Sequence, residues 1–143
     1  MSVQPSGAAG DVVEFAREVL EPVVVERGFS GGQGGLGGDG SVNLIYCASA
    51  TELVRRWPRA FELIPGADPG PQRCVDLMIE VTADGLLRRA DLEGATDLGA
   101  LVDAAGGDGR RLALDELRSV DHRTALTRIA AAIEVLFPLE GND

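Results

Sequence analysis

The chain contains no lysine; all 13 of its basic residues are arginine. That absence removes a Schiff-base lysine, the lysine of a phosphate-binding loop and a lysine general base together. Histidine is nearly as scarce: His122 stands alone, so any histidine-based triad or metal site would have to be built on it. The two cysteines, Cys47 and Cys74, are too far apart in sequence to form a C-x-x-C zinc or redox motif. No apolar run approaches the roughly 18–20 residues of a membrane span. The opening MSVQPSGAAGD lacks a basic stretch followed by an apolar core, so no secretory signal is expected. Few cysteines and no such signal point to a cytoplasmic chain with reduced thiols.

What is present fits an ordinary globular protein. A length of 143 residues suffices for one domain with its own core, and 45% hydrophobic with 25% charged residues excludes the disordered and fibrous classes. The net charge of −10 repels phosphate backbones and anionic lipid surfaces, so neither nucleic acid nor a membrane is an expected partner. Arginine without lysine, among many Gly and Ala, reads as GC-rich bacterial coding.

The stretch 73–94, RCVDLMIEVTADGLLRRADLEG, reads as a β-hairpin around which the rest is arranged. Val75, Leu77, Ile79 and Val81 alternate with polar neighbours at the period of a strand. Asp84-Gly85 suits a type I′ turn, because both residues tolerate positive φ. That turn predicts the pairs Thr82–Leu87, Val81–Arg88, Glu80–Arg89, Ile79–Ala90 and Leu77–Leu92. Leu77, Ile79, Ala90 and Leu92 then share a dry face, with Glu80 opposite Arg89 on the wet one. A turn over Ala83-Asp84-Gly85 would set Arg89 against Ile79 and is disfavoured.

Residues 1–10 are expected to be a disordered arm, 11–138 one α+β domain, and 139–143 a tail. Asp11 caps a predicted helix with Val12, Phe15, Ala16, Val19, Leu20, Val23 and Val24 on one stripe, broken after Leu20 by Pro22 and stopped at Gly28. Ser30–Ser41 is glycine-rich and reads as a mobile loop. Val42–Ala48 reads as a strand. Thr51 would cap a short helix, TELVRRW, ended by Pro58, with 59–73 a long connection or an edge segment leading into the hairpin. Thr96 or Asp97 caps a helix stopped at Gly106-Gly107, and 110–114 is ambiguous between strand and helical turn. Asp121 caps the clearest helix, with Leu126, Ile129, Ala130, Ile133, Leu136 and Phe137 on one stripe, ended by Pro138. The expected fold is a single antiparallel sheet of three to four strands, hairpin 73–94 at its centre, covered by the N- and C-terminal helices.

Two glycine motifs sit in the wrong context for their chemistry. Gly28-Phe29-Ser30-Gly31-Gly32 matches the nucleophile elbow G-x-S-x-G, but it follows a helix instead of joining a strand to one. Gly32–Gly37 matches G-x-G-x-x-G without the strand-to-helix turn that dinucleotide binding requires. His122, in the first turn of a helix, reads as a surface residue. No catalytic residue, metal site or cofactor is therefore predicted, and an enzyme is the weaker expectation.

Two groups are expected to bind a protein partner. On the wet hairpin face Asp76 opposes Glu93, with Glu80, Arg89 and Asp91 adjacent. Two facing carboxylates can raise one pKa or hold a divalent ion, but a solvated acidic face suited to a basic partner is the simpler reading. Ile45, Cys47, Cys74 and Met78 would lie on that same side, an apolar patch suggesting cover by a second subunit in a homodimer or by a ligand, the alternative being a helix of this same chain. The second group is Arg55, Arg56, Trp57 and Arg59, residue types enriched in binding hot spots. The alternative there is that Trp57 packs inward with Val54 and Phe61. In layout the chain resembles small α+β immunity proteins that neutralise bacterial toxins, and in size and acidity the type III secretion chaperones. The expectation is a non-catalytic interaction module of that kind. The competing expectation is a ligand-binding or hydrolytic domain, with a pocket between sheet and helices gated by the loop 30–41.

Overall fold

The computed structural model describes residues 7–36, 40–64, 70, 73–93, 95 and 97–139. Four strands, β1 (Ser30–Leu36), β2 (Val42–Ser49), β3 (Cys74–Val81) and β4 (Leu87–Leu92), form one antiparallel sheet in the order β1-β2-β3-β4. Alternation sets its two faces. Val42, Leu44, Tyr46 and Ala48 of β2 and Val75, Leu77, Ile79 and Val81 of β3 are all buried. Asn43, Ile45 and Cys47, with Asp76, Met78 and Glu80, are half-buried on the opposite face. The helices cover the first face. They are α1 (Gly7–Val19), α2 (Glu21–Val25), α3 (Ala50–Arg56), α4 (Pro58–Leu63), α5 (Leu98–Ala104), α6 (Leu114–Arg118) and α7 (His122–Leu136). The expected α+β architecture is the observed one. Leu126, Ile129 and Ile133 of α7 join Val12, Ala16 and Leu20 in the core, each large side chain contributing about 1.5–3 kcal/mol by burial.

The central hairpin keeps its expected register at Leu77–Leu92, Ile79–Ala90 and Glu80–Arg89, but not its expected turn. The loop is Ala83-Asp84-Gly85: the Thr82 amide donates to the Leu86 carbonyl and the Gly85 amide to the Thr82 carbonyl, both at 2.9 Å. Of these, Gly85 alone takes positive φ, +84°. A three-residue loop needs one left-handed residue where type I′ needs two, and Asp84 is spared that cost. A bulge then pairs Val81 with Leu87 and absorbs the extra residue. The predicted Val81–Arg88 and Thr82–Leu87 pairs are thereby replaced, while the disfavoured turn is accommodated.

The expected mobile loop at 30–41 is the second correction. Ser30–Leu36 is edge strand β1, paired with β2 from Ser30–Cys47 to Leu36–Val42 across one irregularity; residues 37–39 lie outside the described residues. A Cβ on Gly31 would stand 2.1 Å from the Ile45 carbonyl oxygen. Glycine here permits a close backbone approach that any side chain would block.

Smaller differences concern helix ends. α1 begins at Gly7, before Asp11, through the strong helix formers Ala8 and Ala9; residues 1–6 of the expected arm lie outside the described residues. The expected break after Leu20 is present, and Pro22 occupies the first turn of α2, where its missing N–H costs nothing. Ser49, not Thr51, caps α3 by accepting from the Glu52 amide at 3.4 Å. Pro58 does more than end α3: it opens α4, so the connection at 59–73 begins with a helix; residues 65–69 and 71–72 lie outside the described residues. Asp97 and Asp121 cap α5 and α7, accepting from the Ala100 and Thr124 amides at 3.1 and 3.2 Å; Thr96 lies outside the described residues. The ambiguous 110–114 segment is a 3-10 turn (Arg110–Leu112) leading into α6. The expected tail at 139–143 is described only at Leu139. Among the described residues no helix is long and apolar enough to cross a membrane.

Candidate functional site

The C-terminal end of α7 is held by two side chains from far away in sequence. Arg27, 4% exposed, donates from Nε to the Phe137 carbonyl at 2.6 Å and from a terminal nitrogen to the Val23 carbonyl at 2.9 Å. Burial pulls its guanidinium down from the usual arginine range, while the Glu134 and Glu26 carboxylates act the other way. Trp57, at the joint between α3 and α4, donates from Nε1 to the Pro138 carbonyl at 2.7 Å. Its ring meets the edge of Phe137 at 5.3 Å between centroids. Helix-end carbonyls have no partner within the helix, and these donors supply one each.

Trp57 and Pro138 of this clamp also line a groove of about 600 Å³ between α4 and α7. Trp57, Pro58 and Leu63 at α4, Ala105 at the end of α5, and Val135 and Pro138 at the end of α7 line it. Val135 is 42% exposed, although it is a large aliphatic residue. The Arg56 guanidinium lies over the Trp57 ring, 4.1 Å from its centroid, a cation–π arrangement. Arg56, Arg59 and Glu62 supply the charges of the groove. Arg55 does not line it. It donates to Glu52 at 2.6 Å, which holds the Glu52 carboxyl below the usual carboxylate range and pushes Arg55 up. Trp57 therefore packs inward, as the alternative reading expected, yet its principal aromatic partner is Phe137.

The hairpin residues form a separate surface on the opposite side of the sheet, so the two predicted groups are not brought together. Glu80 pairs with Arg88 at 3.0 Å, and Arg89 with Asp91 in direct contact. The expected Glu80–Arg89 pair is thus a register neighbour whose members carry other partners, because the bulge brings Arg88 to Glu80. Asp76 and Glu93 do lie side by side, but they do not present two bare carboxylates. Glu93, at φ +45°, donates from its amide to the Asp76 carbonyl at 2.7 Å, and its carboxylate accepts from the Asp76 amide at 3.0 Å. Ile45, Cys47 and Met78 are half-buried and Cys74 exposed on that side, the placement expected of them.

Neither glycine motif meets its structural requirement. Ser30 opens an edge strand after a helix, and Gly32–Leu36 lies within that strand, with Gly37 outside the described residues. Within the expected gating loop 30–41, Ser30–Leu36 is a strand, and the α4–α7 groove lies between helices. His122 is half-buried edge-on to Phe15, 6.3 Å between centroids, and its buried Nε2 has no hydrogen-bond partner among the described residues. Among the described residues no cluster of three metal-binding side chains occurs.

Sequence reasoning missed Leu63, Ala105, Val135 and Pro138 as groove residues. The usable signal was Val135, an aliphatic side chain off the apolar stripe of α7. Compared with protein-family models, curated proteins and solved structures, the chain matches none of them, so the functional reading rests on its own geometry.

Proposed function

We propose that this chain is a non-catalytic protein-interaction module, immunity-protein-like or chaperone-like, and that its partner docks in the groove between α4 and α7. The observation that carries this reading is an apolar lining that includes Trp57 and the exposed Val135, with Arg56 and Arg59 against one carboxylate, Glu62, among its charges. In a chain of net charge −10, a lining with two arginines and one glutamate is a local reversal of sign. A segment with an apolar anchor and flanking carboxylates has the matching chemistry. The hairpin face offers less to a basic partner, because the Glu80 and Asp91 carboxylates are already paired within the chain.

The test is affinity capture from the native lysate with three baits: the unaltered chain, the double variant Arg56→Glu/Arg59→Glu, and the hairpin variant Asp76→Asn/Glu80→Gln. The groove reading requires a protein that the first and third baits retain, that the second loses, and that elutes as salt rises. Retention by the groove variant with loss by the hairpin variant would move the partner to the sheet face and overturn it.

A further inference from the structure

Cys47 and Cys74 come from adjacent antiparallel strands. In the register of β2 and β3, Cys47 lies across from Asp76 and Ser49 across from Cys74, which makes the two cysteines diagonal neighbours. Both fall on the face opposite Ala48 and Val75, away from the core. The Cys74 thiol is close enough to act on the Cys47 thiol. Cys74 is exposed and Cys47 half-buried.

We propose that Cys47 and Cys74 are an oxidisable dithiol, a modification site at which a low-molecular-weight disulfide is exchanged for a disulfide within the chain. The order of attack follows from exposure. Burial first, then the neighbouring Cys74 and Asp76, push the Cys47 thiol up, which keeps it protonated beside the more accessible sulfur. The Cys74 thiolate attacks one sulfur of the incoming disulfide, forming a mixed disulfide and expelling one small thiolate, which takes up the Cys74 proton. Cys47 then loses its proton and attacks the Cys74 sulfur. The Sγ–Sγ bond forms, and the second small thiolate leaves with the Cys47 proton. The protein loses two electrons and two protons, and the small disulfide gains them.

Bond formation draws the sulfurs of these diagonal neighbours to about 2.05 Å, which asks the backbone to move. Cys74 is the first residue of β3, so that movement falls at a strand end. The bridge would close the segment 48–73, which carries α3 and α4.

The test uses the reduced full-length chain and oxidised glutathione as the probe. Thiols are counted under denaturing conditions, followed by intact mass and tryptic mapping. The expected result is loss of both thiols, a monomer lighter by two hydrogen atoms, and a linkage between the tryptic peptides 28–55 and 74–88 that reductant reverses. The Cys47→Ser variant should instead hold a stable glutathione adduct on Cys74, because nothing resolves it. A persistent adduct on the unaltered chain, a disulfide between two chains, or survival of both thiols would each overturn the proposal.

Discussion

Arg27 Nε and the carbonyl of Phe137 stand 2.6 Å apart across 110 positions of sequence, and that contact fixes where the last helix ends. A buried guanidinium is tolerated because the carbonyls of Phe137 and Val23 accept from it and Glu26 lies 3.8 Å away. Replacing Arg27 by Ala leaves both carbonyls without this donor and removes an aliphatic stem from the core. The expected cost is about 2–4 kcal/mol of stability, read by urea denaturation. Arg27→Lys should recover only part, because an ammonium group cannot reproduce the two-pronged geometry. A loss below about 1 kcal/mol for Arg27→Ala would show that the clamp is incidental.

Tyr46 gives a pH prediction that one signal can follow, since it is the only tyrosine. Its hydroxyl is buried without a hydrogen-bond partner among the described residues. Burial, assisted by the Glu21 carboxylate and opposed by Arg17, pushes the phenol up from 10.0 to about 12. The unfolded chain releases this proton near the ordinary value, whereas the folded chain keeps it to about 12. In that window the unfolded state binds fewer protons, so stability falls as pH rises. The contribution is whole below the ordinary tyrosine pKa and lost through the folded one. The ultraviolet band of the phenolate should therefore appear together with unfolding in an alkaline titration. Tyr46→Phe should remove that step and leave stability at neutral pH unchanged or higher, by about 0–1.5 kcal/mol, since no bond is lost.

The alternation Val75-Leu77-Ile79-Val81 was legible because a strand is the simplest backbone that puts four aliphatic side chains on one face. Asp121 and Asp97 were legible for a similar reason: a cap acts on amides within one turn. What escaped depends on partners remote in sequence. The Trp57 indole finds its acceptor 81 positions away, and no local pattern announces Pro138. The groove is equally non-local, for it exists only where α4 and the end of α7 converge. The hairpin turn failed differently. Asp84-Gly85 suits two turn types, and the choice is made by a bulge that restores register downstream, not by the turn residues themselves. At Ser30–Leu36, composition alone misled, because glycine's flexibility and its lack of bulk point in opposite directions.

The two arginines of β4 should behave unequally. The Arg88–Glu80 pair joins side chains that are 40% and 23% exposed, so Arg88→Ala is expected to cost no more than about 1 kcal/mol from that pair, with strong salt dependence. Asp91 is different: its side chain is 7% exposed, and Arg89 is its ion-pair partner. Removing Arg89 leaves a carboxylate shielded from water without that countercharge. Arg89→Ala should therefore destabilise by roughly 1–3 kcal/mol. The paired replacement Arg89→Ala/Asp91→Ala should cost less than the sum of the single ones, as a double-mutant cycle by chemical denaturation would show. Additivity would mean that the two side chains act independently.

Gly31 tests whether β1 is a strand by necessity of its composition. A methyl group there meets the Ile45 carbonyl oxygen at 2.1 Å, and the φ of +139° resists any L side chain. The edge strand has to separate from β2 or distort it. Gly31→Ala is expected to destabilise the chain by about 2 kcal/mol or more, through lost pairing and backbone strain together. Amide hydrogen exchange distinguishes local from global loss. Protection should fall first along Ser30–Leu36 and at the β2 amides paired with it, while Met78 and Asp91 at the β3–β4 pairing stay protected. Gly28→Ala is the internal control: its φ of +93° carries strain, but a Cβ there meets nothing within 4 Å. It should cost about 1 kcal/mol and leave exchange along β1 unchanged. Equal exchange in the two variants would mean that the close approach to Ile45 does not govern this edge of the sheet.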